Sequence, residues 1–107
     1  MSVTGKDYAN PQFLTGTFTS AGTPADVAET LPWSPSLVIL FANISGTNPD
    51  MHVATSAYAT DSMHTTGSTG VITSPAVASG LDITSTGFSL DSTVQTASGV
   101  NFWIAFK

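Results

Sequence analysis

The sequence of 107 residues contains no cysteine and no arginine, and its only two cations besides histidine are Lys6 and Lys107. Without cysteine there is no disulfide framework, no thiol chemistry and no cysteine-ligated zinc site. The net charge is −5, so the chain cannot assemble the cationic surface that attracts a nucleic acid backbone or an anionic membrane. We therefore expect neither a nucleic acid nor a membrane among its partners.

Long apolar runs are also missing. The longest, "LVILFA", is far shorter than the roughly 20 residues that a membrane-spanning helix needs. The opening "MSVTGKDYANPQF" lacks the apolar centre of a signal peptide. These absences predict a chain that is made in the cytoplasm and is not exported by a standard signal.

What remains is a composition typical of short strands and turns. Hydrophobic residues make up 41% of the chain, which also has nine Gly and six Pro, and apolar segments recur with turn signals about every eight to twelve residues. We predict an all-β chain, an antiparallel β-sandwich of jelly-roll-like type with about eight short strands. The expected division is an N-terminal arm over 1–12 and a sandwich domain over 13–107. A short helix in "TPADVAET" is the alternative for that segment. The expected strands lie in QFLTGTFTS, DVAETL, SLVILFANI, MHVATSAYA, GVITS, GLDITS, GFSLD and VNFWIAF.

Two of these strands, at 37–42 and 102–106, are apolar at consecutive positions. A strand in a two-layer structure has one wet face, so a continuously apolar strand needs cover on both faces. The chain is too short to supply a third layer, which predicts an oligomer of identical chains. We expect Phe102, Ile104 and Phe106 to face the core of the chain. The residues expected at the subunit interface are Val38, Leu40, Trp103 and Ala105.

The order of motifs resembles a known family. The stretches "TGTFTSAGTPADVAETLPWSPSLVILFAN" and "ITSTGFSLDSTVQTASGVNFWIAF" are similar to a small β-sandwich module of tailed-bacteriophage virion proteins. That module opens with a Gly-x-Phe/Tyr-Thr strand and closes with Gly-Phe-x-Leu/Val, an Asn/Ser-Gly turn and an aromatic-Trp-x-Ala-Phe strand. The resemblance covers 13–106. The chain departs from it at Leu31-Pro32-Trp33, where the family often has Leu-Gly-Phe, and at "SGVN".

The resemblance implies a structural role in a virion, usually as a homotrimer. We expect a capsid decoration, or cement, protein on the outer surface of a phage head, where it binds the major capsid protein without covalent bonds. The alternative is a receptor- or carbohydrate-binding adsorption module of a tail or head fibre.

The sequence offers little chemistry. Ser56, Asp61 and His64 fall close together, but proximity in a serine-rich chain does not supply the geometry of a triad. We expect no enzymatic activity, no cofactor and no metal.

Three binding readings remain open beside simpler ones. His52 and His64 could hold an ion on a symmetry axis, or they could simply flank a hairpin. Asn48 and Asp50 supply too few oxygen ligands for calcium and more simply form a proline turn. Trp33 and Tyr58 are possible surface-binding aromatics for a sugar, against the alternative that Trp33 caps one end of the core.

Overall fold

The computed structural model describes residues 11–58, 62–73, 80–95 and 98–107 and contains nine β-strands in these ranges. The same ranges contain no α-helix, only two 3-10 turns, at Ser56–Tyr58 and Ser92–Val94. The strands are β1 Phe13–Thr19, β2 Val27–Thr30, β3 Leu37–Ala42, β4 Asp50–Thr55, β5 Ser62–Thr65, β6 Ile72–Thr73, β7 Leu81–Thr84, β8 Gly87–Leu90 and β9 Val100–Phe106.

The all-β prediction is therefore confirmed, and the segment with a possible helix forms β2. Only β5 was not expected, because its sequence "SMHT" has neither apolar alternation nor β-branched enrichment. Of the arm predicted over 1–12, residues 1–10 lie outside the described ranges. The remaining two residues are held in place, since Lys107 N donates to Gln12 O at 2.9 Å and Trp33 Nε1 donates to Pro11 O at 3.0 Å.

The strands form two antiparallel sheets. The larger has the order β1-β9-β3-β4-β5-β6 and the smaller has the order β2-β8-β7. Strands β3 to β6 follow one another within the larger sheet, whereas β2, β7 and β8 leave it to build the smaller one. The last strand, β9, returns between β1 and β3, which makes it an interior strand of the larger sheet, next to the end strand β1.

The core lies between the two sheets. Phe88 of the smaller sheet meets Trp103 of the larger edge-on, with ring centroids 5.1 Å apart and ring planes at 70°. This is a favoured aromatic geometry, because the positive edge of one ring faces the negative face of the other. The buried apolar residues are Leu31, Val38, Leu40, Ala42, Ala54, Leu81, Phe88, Leu90, Val94, Trp103 and Ala105.

The structure reverses the predicted faces of β3 and β9. Val38, Leu40 and Ala105 are fully buried in the chain's own core, and Trp103 is 7% exposed there. They cannot reach another subunit, so the predicted interface set is wrong. The rings and side chains expected in the core lie on the opposite, half-buried face, and these are Phe102, Ile104 and Phe106.

One buried polar side chain fixes the phase of β9. Asn101 is completely buried, and its amide group donates to Ser20 Oγ at 2.8 Å while its Oδ1 accepts from Asn43 N at 3.0 Å. Asn43 follows β3 with φ 58°, a left-handed conformation that Asn adopts more readily than most residues. The Asn101 side chain thus ties together the ends of β1, β3 and β9.

Candidate assembly surface

The outer face of the larger sheet is a continuous apolar surface. Strand register brings side chains from neighbouring strands into rows across the sheet, because residues directly opposite each other share a face. The middle row runs Thr15, Ile104, Ile39, Val53, Met63. We call this surface the apolar face; its members are Phe13, Thr15, Thr17, Thr19, Leu37, Ile39, Phe41, Met51, Val53, Thr55, Met63, Thr65, Val100, Phe102, Ile104 and Phe106.

Aromatic pairs lie at two ends of the apolar face. Phe13 and Phe106 have ring centroids 6.2 Å apart, and Phe41 and Phe102 have centroids 6.3 Å apart with nearly parallel planes. These cross-strand contacts hold the rings against the sheet. Within one chain most of the other apolar side chains of the face are half-buried. Two are more exposed, Phe13 at 37% and Met63 at 53%.

No residue of the apolar face is charged. The acidic residue nearest to it in sequence, Asp50, begins β4 on the core side, opposite buried Ala42, and its Oδ1 accepts from Gly67 N at 2.7 Å. Asp91 follows β8 in the other layer, where its Oδ2 accepts from Gly80 N at 2.8 Å. The polar groups of the face are threonine hydroxyls, mostly on β1.

The smaller sheet has a different exterior. The outward positions of its three strands carry small or polar side chains, namely Ala28, Thr30, Asp82, Thr84 and Ser89. That is the usual pattern of an antiparallel sheet with one face on the core and one face in water. The two exteriors therefore differ in kind, and only the larger sheet departs from the pattern of a free surface.

The aromatic residues proposed for sugar binding are distributed as follows. Trp33 is half-buried, packs against the core cluster and donates its indole hydrogen to Pro11 O. This is the arrangement expected of a residue that caps the core. Tyr58 ends the first 3-10 turn, and its ring lies outside the described side chains.

The histidines sit side by side in the ladder, since His52 of β4 is opposite His64 of β5. His52 is only 3% exposed on the core side of the sheet, which keeps it away from any symmetry axis outside the chain. Within the described ranges, no three His, Cys, Asp or Glu residues are grouped to hold a metal ion. Asp50 accepts the bond from Gly67 N and so holds the β5–β6 turn.

Comparison with known proteins adds no assignment. No protein-family model matches the chain, and neither a curated protein nor a solved structure matches it significantly. In the described part of the chain, no helix has the length and hydrophobicity needed to span a bilayer. Sequence reasoning found that β3 and β9 are apolar on both sides but assigned the wrong residues to the outer side. The alternation in "LTGTFT", where three threonines share one face of β1 and Leu14 and Phe18 share the other, was a signal for the side of β1 that packs on the core.

Proposed function

We propose that the chain is a non-catalytic structural subunit that works as an assembly of identical copies bound to a larger particle. The observation that carries this proposal is the apolar face, a wide surface without charge on a chain of net charge −5. The largest apolar patch on a monomeric soluble protein covers roughly 300 to 600 Å² and is often an interaction site.

The particle in this proposal is a phage head, and the role is that of a decoration protein that binds the outer surface of the capsid as an assembly of identical copies. Support for this finer assignment comes from the sequence resemblance and from the arrangement of strands. Strand β1 pairs with β9 in the larger sheet and β2 pairs with β8 in the smaller one, a pairing of early strands with late strands that is compatible with a jelly-roll-like sandwich. The major capsid protein is the proposed partner.

Attachment to the shell is proposed to rest on apolar contacts and hydrogen bonds. Only 8% of the residues are charged, which leaves little scope for charge pairing, an interaction that salt would screen. A decoration protein binds the assembled shell and not its separated subunits, so mass action stabilises the assembled state. Each copy can bind weakly because many copies act on one particle.

The test uses a phage whose genome encodes the chain and a derivative that lacks it. Two quantities are measured on the same deficient particles, the temperature at which the shell ruptures and the fraction that attaches to cells. We expect a lower rupture temperature, restored by added protein at both low and high salt, with attachment unchanged.

The adsorption alternative makes the opposite forecast. Deficient particles would rupture at the normal temperature and would fail to attach to cells. That result would replace the decoration role with a receptor-binding role. Restoration at low salt alone would contradict the proposed mode of attachment, because only charge pairing is that sensitive to salt.

A further inference from the structure

We infer that the apolar face is the contact between copies of this chain, and that its partner is the same face of a second copy. The inference rests on the proposed function and deepens it, since it assigns the subunit contact to the opposite side of β3 and β9 from the one that the sequence predicted. Three arguments carry it: the area of the face, its charge and the arrangement of its side chains.

The area fits a stable contact between proteins. Five strands about 4.8 Å apart, each with about six residues that rise about 3.3 Å, give a face of roughly 24 by 20 Å, or about 480 Å² in projection. Two such faces contribute roughly 1,000 Å², which is the size at which a specific interface becomes plausible. Because the Phe, Ile and Met side chains protrude from the sheet, the accessible area of the face is larger than its projected area.

The distribution of charged residues favours a second copy of the chain as the partner. Two identical acidic chains repel each other wherever their carboxylates meet, and burying an unpaired carboxylate in a contact is costly. The apolar face places none there, because the described acidic residues belong to the core side of the larger sheet, to the smaller sheet or to the loops beside it. Association through this face therefore keeps the described carboxylates out of the contact, where their charge keeps the assembly soluble.

The side chains are arranged as in a protein interface. Ile39 and Ile104 are directly opposite each other on the neighbouring interior strands β3 and β9, and the aromatic pairs flank them toward either end of these strands. The threonines of β1 lie along one edge. An apolar centre with polar groups at its rim is the usual anatomy of a contact whose centre excludes water.

The absence of cysteine from the chain allows single introduced thiols to report which surface is covered. Thr15 on β1 and Thr30 on β2 are both exposed threonines in end strands of the described sheets, the first on the apolar face and the second on the smaller sheet. In Thr15→Cys we expect the thiol to react slowly with a labelling reagent at high protein concentration and at least tenfold faster on dilution. Thr30→Cys, the matched control, should react quickly at every concentration.

A second pair of variants tests the centre of the face. Ile39→Lys places a charge in the middle row and should convert the oligomer to folded monomers. Ser89→Lys places the same charge on the central strand of the smaller sheet and should leave the oligomer intact. Light scattering gives the mass, from 11.0 kDa for one chain upwards. Tryptophan fluorescence checks the fold, since Trp103 lies in the core and Trp33 packs against it.

The milder Ile39→Thr retains a β-branched side chain and should weaken association by roughly tenfold per contact, since part of an apolar side chain is lost. Equal labelling of Thr15→Cys and Thr30→Cys in an oligomer would overturn the inference while leaving the structural role in place. A wild-type chain that stays monomeric yet coats shells or lipid vesicles through this face would overturn it too. An oligomer that dissociates as expected but never binds shells confirms the inference and removes the phage-head role.

Discussion

The indole ring of Trp103 lies directly over Gly16, its neighbour across the β1–β9 ladder. A β-carbon at Gly16 would lie 2.5 Å from Trp103 Cζ2 and 2.6 Å from Cε2, closer than non-bonded carbon atoms approach. The missing side chain in β1 is thus the space that admits the largest side chain of β9 into the core. This relationship also sets which face of β9 is buried, since Trp103 has room only on the side where Gly16 lies.

Replacing Gly16 should therefore be costly. We expect Gly16→Ala to lower the free energy of unfolding by about 1 to 3 kcal/mol, because the indole must shift in a packed core. Gly22→Ala is the matched control, since a β-carbon at Gly22 meets nothing within 4 Å. Urea unfolding followed by tryptophan fluorescence measures both. Equal midpoints for the two variants would show that Trp103 can move aside at no cost.

Asn101 should be intolerant of substitution. In Asn101→Asp the Oδ1 acceptor for Asn43 N is retained, but the donated bond to Ser20 Oγ is lost and a carboxylate is buried. We expect a loss of about 3 kcal/mol or more in the free energy of unfolding. Ser45→Ala, which removes an exposed hydroxyl bonded to Val100 N at 3.2 Å, serves as the control and should cost less than about 1 kcal/mol. A small effect of Asn101→Asp would mean that water reaches this site.

The turn before β9 offers a stabilising change. Ser98 has φ 58°, a conformation that is unfavourable for residues with a β-carbon other than Asn and Asp. We expect Ser98→Asn to raise the free energy of unfolding by about 0.5 kcal/mol, because Asn tolerates this conformation. Ser98→Val should lower it by more than that, since branching at the β-carbon increases the clash. Thermal unfolding of the two variants checks the sign of each change, and the opposite order would contradict the turn geometry.

Trp33 separates core capping from sugar binding. Because Trp33 packs on the core cluster, Trp33→Ala should lower the free energy of unfolding by about 2 kcal/mol. Trp33→Phe keeps the packing and loses only the bond to Pro11 O, at a cost of about 1 kcal/mol. A sugar platform predicts instead that Trp33→Ala keeps its stability and loses binding to a glycan array, whereas Trp33→Phe retains a ring on which a sugar can stack.

The strands were predictable because each is a short apolar segment bounded by turn residues. Which face of β3 and β9 points into the core was not predictable. Both faces of these strands are apolar, so the alternation of side chains does not show which face is buried. The phase is set by the partners of β9, with Gly16 opposite Trp103 and Phe18 opposite Asn101. Those pairings depend on a register between segments more than 80 residues apart, which no local pattern encodes.

The candidate surface escaped prediction for the same reason. The sequence analysis placed Phe102, Ile104 and Phe106 in the core. In the structure the core side of β9 instead carries Trp103 and the small Ala105. The requirement for cover on both faces was read from the sequence. Which side belonged to the chain itself depended on the second sheet, which offers Phe88 to Trp103.

The contact between Gln12 and Lys107 has a mechanical consequence. It places both described ends of the strand framework at the same end of the β1–β9 ladder, with 2.9 Å between Lys107 N and Gln12 O. The hydrogen bonds of an antiparallel ladder run perpendicular to the strands. Tension applied between residues 12 and 107 therefore breaks the hydrogen bonds between β1 and β9 one after another, starting at the end where the force acts. Tension directed along β1 and β9 in opposite directions loads all of them together. A tether joined to residue 12 and another joined to residue 107 should therefore pull the fold open at low force, whereas load entering through the broad side of the larger sheet meets the whole ladder at once.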